Sequence, residues 1–385
     1  MNIREEVESI KAQVLEWRAL FHQYPELAQQ EYKTTQLIEE ILTELQIPWE
    51  QMESTGVIGY LGERGGKTVA LRADIDGLVV KEETGLPFSS KIPGQMHACG
   101  HDGHIAGLLA AAKILKKYEK DIKGCIKLIF QPAEENSAGA NLVMDQGHLD
   151  DVEEIFGIHI FSDIPSGVVS VEAGPRMAAT DHFTITIHGK AGHAAKPHQC
   201  IDATIVAAAL VMNLQTILSR RMDPLEDGVL TIGKLESGTA YNVISGKAVL
   251  EGTVRTFTME AEEQVRTLVT QMAHDTAKMY GATAEVDYPL PMHPSLINDE
   301  AVAERMQPLL QEWFSEEERQ KVPKLMLGED FTNYLQRIPG VFAFVGGGKP
   351  GETIYPNHHN KFDFTEEALT HSAMLHLVYA LSTIF

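Results

Sequence analysis

Apolar residues recur at helical spacing along the start of the chain, at Ile3, Val7, Ile10, Val14, Trp17 and Phe21. This spacing predicts a helix over 3–22. Tyr24-Pro25-Glu26 ends it, because a residue before proline is pushed out of the α region. A second helix is expected from Thr34 or Thr35, burying Leu37, Ile38, Ile41, Leu42 and Leu45. The period then changes. Residues 57–61 and 68–73 read as strands joined through Arg64-Gly65-Gly66, and the second runs into Asp74-Ile75-Asp76-Gly77. Residues 105–112 are all small or apolar and predict a buried helix ending near Lys116-Lys117. Residues 125–130 and 155–160 read as further strands, with His159 near the end of the second. Strand–helix–strand alternation predicts an α/β fold with a mostly parallel central sheet and helices on both faces.

The pattern changes after Pro175. Residues 183–188 alternate as a half-buried strand does, and 229–232 and 248–255 continue an antiparallel pattern. Helices are expected at about 202–218 and 260–279, and a strand at 284–288. Together they predict a small α+β domain, ended by the proline-rich linker Pro289-Leu290-Pro291-Met292-His293-Pro294. The first pattern then resumes, with a helix near 299–315, a strand at 341–345 and a C-terminal helix from Thr365. The expected organisation is a catalytic domain at 1–180 and 294–385 interrupted by an inserted domain at 181–293.

Totals narrow the partners. A formal net charge of -22 argues against nucleic acid and against an anionic membrane surface. The apolar runs read as too short to cross a bilayer, and the charged N-terminus does not resemble a signal peptide. With 3 cysteines in 385 residues, a disulfide scaffold is not expected. The expected setting is the reducing cytoplasm.

Met96–His104 puts a thiol, three imidazoles and a carboxylate inside nine residues, between a Pro93-Gly94 turn and the buried helix. Cys99 and His101 suit a borderline-soft divalent metal. Sites in parallel sheets lie beyond the carboxyl ends of the strands. Asp74, Asp76, Glu134-Glu135 and His159 each read as lying at such an end. The candidate ligands are Cys99, His101, Glu135, His159 and one of His358 and His359. Five ligands exceed the need of one tetrahedral ion, so the set predicts two divalent metals, with Cys99 a candidate bridge. Asp76 is expected to orient a ligand, and Asp74 is open between the two roles. If one of the adjacent Glu134 and Glu135 binds metal, the other is free to act as general base. In the inserted domain, small residues flank His193, leaving it either a reaching group or an exposed loop histidine. Arg255 suits a bidentate clamp on a carboxylate, or is an ordinary strand-surface charge. His97 and His104 are expected to be supporting groups.

These motifs resemble the two-metal aminoacylase and carboxypeptidase superfamily of metallopeptidases, in its amidohydrolase branch. That branch holds N-acyl-amino acid amidohydrolases, hippurate hydrolases, N-acetyldiaminopimelate deacetylases and auxin-conjugate hydrolases. The resemblance is carried by Arg18, His22 and Pro25-Glu26-Leu27, by 72–77, 97–104 and 130–135, and by 189–198, 328–331 and 358–362. It implies a zinc-peptidase-like catalytic domain and an inserted lid and dimerisation domain. It implies Cys99, His101, Glu135, His159 and His358 as ligands of two ions (zinc, manganese, cobalt or nickel), and Glu134 as general base. It implies His193 as the oxyanion donor, and Asn242 and Arg255 as substrate contacts. The implied activity is hydrolysis of N-acyl amino acids, with N-acetyl the leading acyl group, in a homodimer. A dipeptidase or carboxypeptidase with the same centre is the rival, and a metal-stabilised binding protein without turnover the remote one. Three positions depart from the family pattern. Asp74 stands where the wider superfamily has a metal histidine, Ser245 follows Asn242-Val243-Ile244 in place of proline, and Asn360 replaces a usual proline.

Overall fold

The N-terminal helical pattern breaks once, at Ile10, where φ is -114°. The break separates α1 (Ile3–Ser9), whose Asn2 cap accepts the Glu5 N–H at 3.3 Å, from α2 (Lys11–His22). Burial decides this geometry. Val14, Trp17 and Phe21 of α2 face the core, and so do the polar Arg18 and His22. Helix α3 (Tyr32–Glu44) buries Ile38, Ile41 and Leu42. The computed structural model describes residues 1–385 and divides them into two units. The first comprises Met1–Gly174, Ile297–Pro323 and Asp330–Phe385, and the second Pro175–Leu296 and Lys324–Glu329.

The first unit is built on one mixed sheet. Its strands are β1 (Trp49–Gln51), β2 (Val57–Gly62), β3 (Thr68–Asp74), β4 (Cys125–Gln131), β5 (Glu154–Pro165), β6 (Val169–Ser170) and the strand Gly340–Gly348. The spatial order is β1-β2-β4-β3-β5, then Gly340–Gly348, then β6. From β4 through β3 and β5 to Gly340–Gly348 the neighbours run parallel, whereas β1, β2 and β6 pair antiparallel at the edges. Strands β2 and β3, consecutive in sequence, are not neighbours, because β4 lies between them. Every residue of β3, β4 and Gly340–Gly348 is buried, as expected for strands covered on both faces. Helix α4 (His101–Lys117) and the C-terminal helix Glu366–Thr383 pack together over this sheet, burying Ile105, Leu108, Leu109 and Leu377.

The second unit has a four-stranded antiparallel sheet, ordered Gly228–Ser237, Lys247–Thr256, Asp181–His188, Thr283–Asp287. Helices Ala203–Thr216 and Met259–Met279 pack on each other and on Lys247–Thr256. Their apolar faces (Leu210, Leu214, Val265, Val269) meet Ile185, Ile187 and Leu250 in a separate core. Residues 324–329 join this unit because Leu325 bridges Met177 and exchanges backbone bonds with Arg176 and Ala178. One correction concerns apolar length. The segment Ala203–Arg221 is long and apolar enough to cross a membrane by length and composition alone, contrary to the expectation for this chain. Its buried residues Val206, Leu210, Leu214 and Ile217 belong to the second unit's core.

Candidate metal centre

The centre grows from the start of α4. Gly100 precedes the helix with φ 92°, a left-handed conformation that a glycine adopts at no steric cost. This turn sets Cys99 just before the helix and His101 at its first residue. The positive end of a 17-residue helix thus lies beside the thiol. The helix cannot back away, since a Cβ on Gly103 would come within 2.6 Å of the Phe364 ring.

Strand ends bring in the other groups. Asp74 closes β3, and the Glu134-Glu135 pair follows β4. His159 lies inside β5 rather than at its end. The register explains why it still reaches the centre. Strand β3 stops pairing with β5 at Arg72–Gly157, so His159 stands level with Asp74 while β5 runs on beside Gly340–Gly348.

The distances describe one cluster. Cys99 Sγ lies 3.4 Å from His159 Nε2. His101 Nε2 lies 3.9 Å from Glu135 Oε1, and His358 Nε2 lies 3.5 Å from Glu135 Oε2. Potential ligand atoms of the first unit fall within 4.8 Å of one another in four overlapping groups: Cys99, His101, His159; Cys99, Glu135, His358; His101, Glu134, Glu135; and Asp74, His101, His104. Cys99, His101, Glu134 and His159 are buried, whereas the His358 side chain is 55% exposed. His359 is turned away and stacks on Tyr355, with ring centroids 4.8 Å apart.

Supporting groups fix each ring. His101 Nδ1 donates to the Asp76 backbone oxygen at 2.9 Å, which leaves Nε2 for the cluster. His159 Nδ1 likewise donates to the Ile160 oxygen at 3.0 Å. His104 Nε2 accepts the Ile160 N–H at 3.0 Å, so its Nδ1 carries the proton toward Asp74 Oδ1 at 2.6 Å. Asp76 Oδ2 accepts the Glu135 N–H at 3.0 Å, linking the His101 and Glu135 positions. Arg72, fully buried, ties Asp74 (2.6 Å) to Asp330 (2.9 Å).

Charge in the cluster is poorly balanced without a cation. Burial opposes protonation of His101, but Asp74, Asp76 and Glu135 outweigh it and raise His101 to about 10. Burial pushes Glu135 up to about 7, with Asp76 and Asp74 assisting and His101 opposing. Burial, with His104 and His101 nearby, holds His159 well below its ordinary value. Protons therefore gather on His101 and Glu135, where carboxylates crowd. A divalent cation would compensate the same charge, and His101 Nε2 and Glu135 Oε1 would be among the atoms to hold it. Both atoms are buried and lack a hydrogen-bond partner. Thiolate, imidazole and carboxylate donors match a borderline metal, so the residues fit the group.

The other predicted residues lie in the second unit. His193 sits in a two-residue strand, Gly192–His193, paired with Val243–Ile244, and the Ala194 N–H donates to the Asn242 oxygen at 3.1 Å. His193 is exposed and its Nδ1 accepts the Ala195 N–H at 3.1 Å, which puts the proton of the neutral ring on Nε2. Arg255 Nη1 donates to Thr253 Oγ1 (2.6 Å) and the Val254 oxygen (2.9 Å), within its own unit.

Asn357 escapes sequence reasoning. Its Nδ2 donates to the backbone oxygens of Cys99 and Ile160, each at 3.1 Å, and so holds the loop that carries the thiol. Its position next to His358 was the available signal.

Residues 70–381 match the profile of peptidase family M20/M25/M40. The chain is 37% identical over 386 residues to thermostable carboxypeptidase 1 of Saccharolobus solfataricus, covering 98% of this chain and 97% of that protein. It is 40% identical over 368 residues to N-acetyl-L-cysteine deacetylase of Bacillus subtilis, covering 94% of this chain and 86% of that protein. It superposes on the crystal structure of a Bacillus subtilis protein described as a dinuclear metal-binding peptidase of the M20 family. The TM-score is 0.85 at 35% identity, with 97% of this chain and 98% of that one covered.

Proposed function

The chain belongs to peptidase family M20/M25/M40, and from that premise we propose that it is an amidohydrolase with two divalent metals, acting on N-acyl amino acids. The observation that carries this reading is that the buried atoms His101 Nε2 and Glu135 Oε1 face each other at 3.9 Å and neither has a hydrogen-bond partner. They belong to the same cluster as Glu134.

Cys99, His101, Glu135, His159 and His358 would hold the ions. When bound, these supply Lewis acidity to the amide carbonyl and to the attacking water. Their identity among zinc, manganese, cobalt and nickel follows supply, because the donor set is tolerant. Glu134 takes a proton from water as oxygen attacks the carbonyl carbon. The C–N bond then breaks, and Glu134 returns the proton to the departing nitrogen. The products are a carboxylate, acetate in the leading case, and a free amino acid. Asp76 orients His101 and Glu135. His193, with its proton on Nε2, is assigned as the donor to the oxyanion. Arg255 is assigned to the substrate carboxylate and Asn242 as a further substrate contact. A cytoplasmic setting agrees with three cysteines, none of them in a disulfide.

The second unit is also assigned the homodimer contact. Its outer strand Gly228–Ser237 leaves Val229 and Leu235 exposed, and helix Ala203–Thr216 exposes Ile205 and Met212. Light scattering on the intact chain tests this, and a monomer at micromolar concentration removes it.

An amine-release assay tests the activity. The panel holds N-acetyl amino acids, N-acetyldiaminopimelate and dipeptides, run on chelated protein and again with Mn²⁺, Co²⁺ or Zn²⁺. Hydrolysis of one acyl-amino acid class, restored by metal, is the expected result. Turnover of dipeptides alone moves the chain to the peptidase reading, which similarity to a carboxypeptidase favours. Metal binding with no turnover across the panel overturns this substrate class.

A further inference from the structure

Helix α3 has an unusual start. Its N-cap is Glu31, yet the Glu31 side chain makes no bond to the helix it caps. Glu26 serves that helix instead, accepting the Lys33 N–H at 3.1 Å and the Thr34 N–H at 2.8 Å. Glu31 is thereby released for other partners. It is 0% exposed, and three donors converge on its two oxygens: the Gln29 N–H (3.0 Å), the Ala133 N–H (2.9 Å) and the Thr55 hydroxyl (2.7 Å). A carboxylate without water is costly unless its oxygens are satisfied, and here donors from three segments satisfy them.

The Ala133 bond matters because of where Ala133 lies. It directly precedes Glu134 and has φ 59°, a left-handed conformation that residues with a Cβ resist. The turn after it closes on the Ala133 oxygen, which accepts the N–H groups of Ala138 (3.2 Å) and Gly139 (3.0 Å). Other anchors act further along. Asp76 holds the Glu135 N–H at 3.0 Å, and Asp330 Oδ2 holds the Ala140 N–H at 2.9 Å. Glu31 alone among these three acidic side chains grips the turn before Glu134.

We propose that Glu31 is a positioning residue: by accepting the Ala133 N–H it holds the left-handed turn that presents Glu134 and Glu135 to the centre. This rests on the reading of Glu134 as base and Glu135 as ligand. Side chains at these positions tolerate little displacement, and misplacement by about 1 Å costs on the order of a hundredfold in rate.

The test compares Glu31→Leu, which removes the acceptor, and Glu31→Asp, which withdraws it, with the same changes carrying Ala133→Gly. Glycine takes the left-handed conformation freely, so it replaces the restraint without replacing the carboxylate. For each single variant we expect kcat to fall tenfold or more with KM within threefold. We expect Mn²⁺ affinity, read by competition with a chelator, to fall as well. Adding Ala133→Gly should restore severalfold of both. Hydrogen exchange over residues 131–139 provides a reading independent of metal and substrate. It should quicken in the single variants and slow again in the doubles. Quickened exchange in a chain that hydrolyses nothing would sink the proposed activity while supporting this role for Glu31. Unchanged exchange, or a loss of kcat that glycine does not restore, overturns the proposal. If the single variants do not fold, folded and active doubles support it. If no variant folds, Glu31 is a core residue only and the proposal fails.

Discussion

In the first unit the chemistry-bearing side chains, His358 apart, are buried or half-buried and tied across elements to other side chains and to backbone groups. His101 bonds to Asp76, Asp76 bonds to the Glu135 backbone, and His104 joins Asp74 to the Ile160 backbone. In the second unit His193 and Asn242 are exposed, and the core beneath them is apolar. The difference follows from solvation. A polar group without water needs a protein partner, so each buried member recruits another and a network forms. An exposed histidine satisfies itself with water and one local backbone N–H. Substitutions in the first unit should therefore spread to metal binding and stability, and those at His193 should stay local.

The largest effect should come from Glu134→Gln. Turnover is expected to fall by about 10²–10⁴-fold, the range for a general base, with metal stoichiometry unchanged by elemental analysis. Undiminished turnover would remove the base from this site. His193→Ala should lower kcat by about 10²–10³-fold, as loss of an oxyanion donor does, and leave the melting temperature at the wild-type value. The matching change His101→Ala should lower both metal affinity and melting temperature. If His193→Ala does the same, the contrast between the units is wrong. Leu250→Ala empties space in the second unit's core and should cost about 2–5 kcal/mol by denaturant unfolding. Metal content of the folded protein should not change.

The smallest expected effect is on pH dependence. Burial opposes charge on His22, but Asp102 at 2.9 Å and Glu82 at 3.3 Å outweigh it and raise His22 to about 9. An ordinary histidine value of 6.5 applies once the chain unfolds. The folded protein thus binds more protons between about 6.5 and 9, so its stability falls as pH rises through that window. His22→Gln should flatten this slope in unfolding of the chelated protein. A slope unchanged by the substitution would place its origin elsewhere.

Much of the molecule was legible locally. The apolar run 105–112 read as a buried helix and the alternation at 183–188 as a half-buried strand, and both elements form. The Cys99–His101 and Glu134-Glu135 motifs carried enough chemistry to be grouped before any coordinates. Other features depended on contacts remote in sequence. The insertion of β4 between β2 and β3 depends on pairing partners that no period encodes. His159 looked like a strand end, and only the register of β5 shows that the strand continues past it.

By itself, then, the sequence determined most of the longer elements and the inventory of donors, because these depend on neighbours within a few residues. Tertiary structure alone decided that Asn357 holds the Cys99 loop and that Glu31 gives its carboxylate to Ala133 rather than to its own helix, whereas the resemblance had already pointed to His358 rather than His359. The physical reason is shared. A polar atom shielded from water is committed to whichever complementary atom the fold brings within hydrogen-bond reach, and that partner is 102 residues away for Glu31 and 258 for Asn357.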